Sequence, residues 1–209
     1  MASDKETKRS VRPASGQKAA PGWLTTDRMF IGGSVLAILA ILGVIVVVTA
    51  QNGDALNRQI DGVQIINVPA PGHVTTPVTY EQIPPAGGLH HPVWQQCGVY
   101  TEPIANEHAV HSLEHGAVWI TYQPDLPADQ VAILQTITVQ STHRLLSPYP
   151  GISSPIILTA WGYQLPLERA DDPRLAQFLQ KYEQGKSTPE MGATCNGGET
   201  RTLAQIGQR

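Results

Sequence analysis

Met29 to Ala50 is an uninterrupted run of 22 residues with no charged side chain, built almost wholly from Ile, Val, Leu, Ala and Gly. As a helix rising about 1.5 Å per residue, it spans a hydrocarbon core of about 30 Å with room for tilt. Charge is unequal on its two sides. Residues 1–28 carry six basic side chains (Lys5, Lys8, Arg9, Arg12, Lys18, Arg28) and three acids (Asp4, Glu6, Asp27), a net of +3. Residues 51–209 carry eight basic side chains and fourteen acids, a net of −6. The positive-inside rule then puts residues 1–28 in the cytoplasm and the rest outside, with Trp23 at the inner interface. Val48-Thr49-Ala50 also resembles a signal-peptide cleavage site. The apolar run, however, exceeds the usual h-region of about 7–15 residues, so an uncleaved anchor in the cell membrane is expected. The predicted organisation is a cytoplasmic tail (1–28), a transmembrane helix (29–50) embedded in the lipid bilayer, a polar stalk (51–62) and an extracytoplasmic domain (63–209).

The chain holds 17 Pro and 19 Gly, while only 15% of its residues are charged. That composition excludes a helical bundle, a coiled coil and a highly charged disordered chain. A net charge of −3, without basic patches interleaved with aromatics, gives no case for nucleic acid as a partner.

Coarse patterning predicts an α+β domain. Val63 to Val68 has the β-branched density of a first strand. The next 35 residues contain seven prolines, from Pro69 to Pro103, and read as ordered loop. Asn106 to His115 reads as a short helix, capped by Asn106 and ended by Gly116. Ala117 to Tyr122 follows as a strand. Pro127 opens a helix expected to run to about Leu146, and Ser147 to Gly151 reads as a turn. Pro155 to Trp161 is a buried strand and Gln164 to Leu167 an edge piece. Asp172-Pro173 starts a last helix through Tyr182. This implies a small sheet of 3–4 strands, with a strand–helix–strand crossover between Ala117 and Trp161.

All seven histidines lie between residues 73 and 143, and five lie between 90 and 115. On a helix, His111 and His115 share one face. His111-Ser-Leu-Glu114-His115 also reads as His-x-x-Glu-His, the inverted zincin pattern, in which two imidazoles bind zinc and the carboxylate activates water. The ordinary alternative is a polar helix face with His and Glu in local hydrogen bonds. The density of imidazoles beside carboxylates favours a metal or proton-handling site.

Two cysteines outside the cytoplasm point to one disulfide. A Cys97–Cys195 bond would enclose most of the domain and be worth about 4–5 kcal/mol by chain entropy. The alternative is that Cys195 and Met191 offer soft ligands to copper, although their order is not that of a blue-copper loop. Ser112 beside His111 is poorly placed for a dyad, because adjacent helical side chains diverge.

The run Gly88-Leu-His-His-Pro-Val-Trp94, Cys97-Gly-Val-Tyr100, Glu107 and Val110-His-Ser-Leu-Glu-His-Gly116 resembles a bacterial membrane-anchored family, domain of unknown function 3105. Ser147 to Gly151, Ala160-Trp161-Gly162 and Pro189-Glu190 extend the resemblance over roughly residues 60–200. It implies one membrane helix followed by one outside domain, and no particular activity. It ranks His90, Glu107, His111, Glu114 and His115 above His91 and His108, and it implies that a Cys97 disulfide is optional.

Three readings follow. The first is a membrane-tethered domain holding copper or zinc through His90, His111 and His115, with Glu107 or Glu114 nearby and an unidentified envelope protein as partner; it is not foremost an enzyme. The second is a metallohydrolase with Glu114 as base and a distant third ligand such as Glu190. The third is a metal-free interaction module, in which His–Glu pairs hold residues 69–103 onto the helix.

Overall fold

Val118 to Tyr122 and Ile156 to Ala160 are runs with no exposed residue. Strands apolar on both faces belong in the middle of a covered sheet, and these two are neighbours there. The computed structural model of the chain describes residues 37–47 and 59–207. Its sheet has six strands: β1 (Gln64–Ile65), β4 (Gly98–Val99), β5 (Val118–Tyr122), β6 (Arg144–Pro148), β7 (Ile156–Ala160) and β8 (Tyr163–Leu167), in the order β1-β8-β7-β5-β6-β4. A separate two-stranded ladder pairs β2 (Gly72–His73) with β3 (Leu89–His90) in parallel.

The mixed α+β class agrees with the sequence, but the sheet is larger than the expected 3–4 strands. The extra strands have physical causes that pattern reading misses. β4 and β1 are two residues each, too short for any periodicity. β6 begins where a helix was expected to continue. The helix α2 (Ala128–Thr138) stops at Thr138, and Arg144 to Pro148 pairs in parallel with all five residues of β5. That β5–α2–β6 unit is the strand–helix–strand crossover, closed one strand earlier than the apolar run at Ile156 implied. β8 has β7 along its whole length, whereas β1 covers only Tyr163 and Gln164. Pro166, which has no N–H to donate, therefore falls where β8 has no second neighbour.

Alternation along β5 and β6 sends side chains to two cores. Val118, Ile120, Tyr122 and Leu146 join Leu134 of α2 and Leu175, Phe178, Leu179 and Tyr182 of α3 (Pro173–Tyr182). Ile60, at the end of the expected stalk, is buried in the same core. Trp119 and Leu145 point the other way, against Ala109, Val110 and Leu113 of α1 (Asn106–Glu114). Helices thus cover both faces of the sheet. A short helix, α4 (Leu203–Ile206), closes the described chain.

Cys97 and Cys195 form a disulfide, so neither offers a thiolate. Residues 51–209 form one unit and residues 1–50 another. Within the latter, residues 37–47 are helical with exposed side chains. The rest of the expected membrane span, the tail 1–28 and stalk residues 51–58 lie outside the described residues. Among the described residues, no helix is long and apolar enough to cross a membrane.

Candidate metal centre

The helix α1 is buried from Ala109 through Glu114, polar residues included. It begins after Ala105, so Asn106 is its first residue rather than its cap. Its C-terminus closes as a Schellman motif. Gly116 N–H donates to Leu113 O (3.0 Å), and Ala117 N–H donates to Ser112 O (2.9 Å). Gly116 has φ +92, and a Cβ there would lie 2.5 Å from Gln184 Nε2 and 3.1 Å from Gln184 Cα. The Gln184 side chain in turn donates to His115 O. This turn fixes where the helix ends, and so where His111, Glu114 and His115 point.

Opposite α1 lies the β2–β3 ladder. Its register sets His73 against His90, and parallel partners project to the same side. The rings of His73, His90 and His111 are mutual neighbours, with centroids 4.8–4.9 Å apart. His115 stacks its edge on His111 at 4.6 Å. Trp94 and Trp161 wall the cluster beside His115 and His90.

Among the described residues, two sets of donor atoms converge, each with all its atoms within 4.8 Å of one another. One is His73, His90, His111 and Glu114; the other is His111, His115 and Glu190. Of the five candidate ligands read from the sequence, His90, His111 and Glu114 come together in the first set, and His115 joins His111 in the second. Glu107 enters neither set; its Oε1 accepts the Val78 N–H at 2.9 Å, holding the proline-rich segment to the helix. Glu190, the remote carboxylate of the hydrolase reading, lies 3.4 Å from His115 Nε2. Met191 is an exposed side chain, and Ser112 Oγ donates to Gln95 O (2.7 Å) rather than to an imidazole.

His73 was missed. It stands alone in a proline-rich stretch, and only the ladder register brings it to His90. Its one sequence signal was membership of the histidine-dense segment.

The rings are oriented alike. His90 Nδ1 bonds Gly88 O (2.8 Å), His111 Nδ1 bonds His91 O (2.7 Å), and His115 Nδ1 bonds Thr194 O (2.7 Å). A carbonyl only accepts, so the hydrogen-bond network assigns the proton to Nδ1 in each ring. In the neutral ring Nε2 then keeps its lone pair, and Nε2 is the atom left for the cluster. His90 Nε2 lies 2.9 Å from Glu114 Oε2, with His73 Nε2 at 3.9 Å from the same oxygen. The 2.9 Å approach lacks hydrogen-bond alignment, so His90 Nε2 is a buried polar atom without a hydrogen-bond partner. Two electron pairs facing one another in a dry interior call for a cation or a proton between them.

Burial pushes the His111 imidazole down to about 4, against the lift from its bond to His91 O and with further lowering from His115, His90 and His73. His111 therefore keeps a lone pair available well into acid. Burial also lowers His108, whose Nδ1 bonds Val93 O (2.6 Å) outside the cluster.

A sequence profile described as protein of unknown function (DUF3105) matches residues 73–197. A search of curated proteins and a search of solved structures each found no match.

Proposed function

We propose that this chain, which belongs to the DUF3105 family of proteins of unknown function, is a membrane-anchored extracytoplasmic protein that binds one zinc or copper(II) ion through His73, His90, His111 and Glu114. The observation that carries this reading is the orphaned Nε2 of His90, fully buried and 2.9 Å from the Glu114 carboxylate while its Nδ1 is tied to a carbonyl. Backbone acceptors on the far nitrogens are the usual support for imidazole ligands, fixing tautomer and ring direction. Imidazole and carboxylate donors suit zinc or copper(II), and with both cysteines in a disulfide no soft thiolate favours copper(I).

Placement outside the cytoplasm is supported by the uncharged 22-residue run and the charge step across it. The disulfide supports an oxidising compartment. The bilayer would then be the partner of residues 29–50. Hydrolysis of the inverted zincin type needs Glu114 free to take a proton from bound water, whereas its Oε2 faces His90 and His73. A metal-free module would have to keep a proton between His90 Nε2 and Glu114 Oε2, 2.9 Å apart in the interior.

The test is metal analysis of the detergent-solubilised chain after dialysis against Zn²⁺ or Cu²⁺. One ion per chain is expected, lost in His90→Ala and His111→Ala. No bound metal, or full occupancy in both variants, would sink the reading.

A further inference from the structure

The two donor sets share His111, and that sharing has a chemical limit. His111 Nδ1 is committed to His91 O, so the ring has one lone pair to give, at Nε2. One lone pair binds one ion at a time. The sets are therefore alternatives for a single ion rather than two sites filled together. They also differ in access. The His90 and Glu114 side chains are 0% and 7% exposed, whereas Glu190 of the other set is 53% exposed. His73, at the opposite edge of the cluster, is 51% exposed. The cluster thus has a buried middle and an exposed ligand at each end, with the His111 ring common to both halves.

We infer that the cluster is a relay, in which an ion passes between a His111–His115–Glu190 station and a His73–His90–His111–Glu114 station by exchanging partners around the fixed His111 ring. This rests on the metal-binding reading above and assigns that site a transfer function. No bond to His111 breaks during the step: Glu190 and His115 leave as His90, His73 and Glu114 arrive. An ion held throughout by at least one imidazole does not have to regain its full water shell in passing. Zinc suits such exchange because its d¹⁰ shell imposes no preferred geometry and it expands readily to five ligands.

The relay has a kinetic signature that static ligation lacks. Removing a resting ligand speeds release. Removing a ligand met only in transit slows loading and release together, since the forward and reverse steps cross the same barrier. The experiment uses the full-length chain in detergent with Zn²⁺ alone. Stoichiometry is read by titration calorimetry, and loading and release by stopped flow against a chromophoric chelator. One ion per chain is expected in the wild type. Glu190→Gln and His115→Ala are expected to slow loading and release in parallel, by about 10-fold, the scale on which a single metal-site partner acts. His90→Ala is expected to speed release so far that the ion left to the His115–Glu190 station is lost on dialysis. Glu190→Gln alters an exposed side chain, so misfolding does not confound it. Two ions per wild-type chain overturn the relay, as does faster release in Glu190→Gln, or loading and release at wild-type rates. The two kinetic results leave the single-ion reading intact, whereas two ions per chain overturn its stoichiometry as well. Absence of Zn²⁺ binding by the wild type overturns the relay, and absence of Cu²⁺ binding as well removes the metal-binding reading.

Discussion

His90 and Glu114 meet inside the fold with Nε2 and Oε2 2.9 Å apart, although the other imidazole nitrogen already donates to Gly88. Exchanging the carboxylate for an amide separates metal binding from packing. Glu114→Gln is expected to weaken Zn²⁺ binding by about 10–100-fold. It is also expected to raise the metal-free melting point, because the amide N–H can donate to the orphaned nitrogen, a bond worth about 1 kcal/mol. Calorimetric titration and a melt in chelator read the two effects. A lower apo melting point with affinity retained contradicts the site.

Acid should destabilise the metal-free domain in a defined window. The His111 ring titrates near 6.5 when unfolded and at about 4 when folded. As pH falls, the unfolded chain therefore takes its proton first. The His111 contribution is fully present above pH 6.5 and lost as pH drops towards 4. At 1.36 kcal/mol per unit, discounted for screening through the exposed His73 edge, it amounts to about 2 kcal/mol. Urea unfolding in chelator from pH 8 to 4 checks this, and His111→Gln should flatten the slope between 6.5 and 4.

The disulfide closes a separation of 98 residues. Reducing it, or replacing both cysteines with Ala, is expected to cost about 4–5 kcal/mol. For a domain this size that is a fall of about 10–20 °C in melting temperature. A melt with and without a phosphine reductant measures it. An unchanged midpoint means the bond constrains little.

Gly116→Ala is expected to cost about 2–3 kcal/mol, by forcing a Cβ into a left-handed turn and against the Gln184 backbone. Thermal melts should show it in metal-free protein as much as in loaded protein. A loss confined to the loaded state would place the turn's role in ligation instead.

The full chain should pellet with membranes and resist alkaline carbonate, while a chain starting after Ala50 stays in the supernatant. If both partition alike, residues 29–50 are not an anchor.

What could be read beforehand divides by the range of the interaction involved. The His111–Glu114–His115 arrangement follows from helical spacing alone, so it was legible. The ends of α3 were too, because Asp172 accepts the Arg174 N–H and Pro173 fills the first turn. His73 and Glu190 were not placed together with the helix by any local rule, since a ladder register and a tail crossing bring them in. Glu107 has the right spacing from His111, yet a backbone N–H from a distant loop claims it. β6 went unseen because Ser147-Pro148 looks like turn chemistry, whereas Pro148 stands at the strand's last position.

The two exposed ligands, His73 and Glu190, stand near opposite ends of the family-matched segment 73–197. Between them lies every strand of the central sheet except β1. The cluster is thus complete only once almost the whole domain has found its place, and contacts so distant along the chain form late. An ion resting there would mark a finished molecule. A truncated or half-folded copy would stay empty and, lacking the added stability of a bound ligand, would be the copy that proteases remove first.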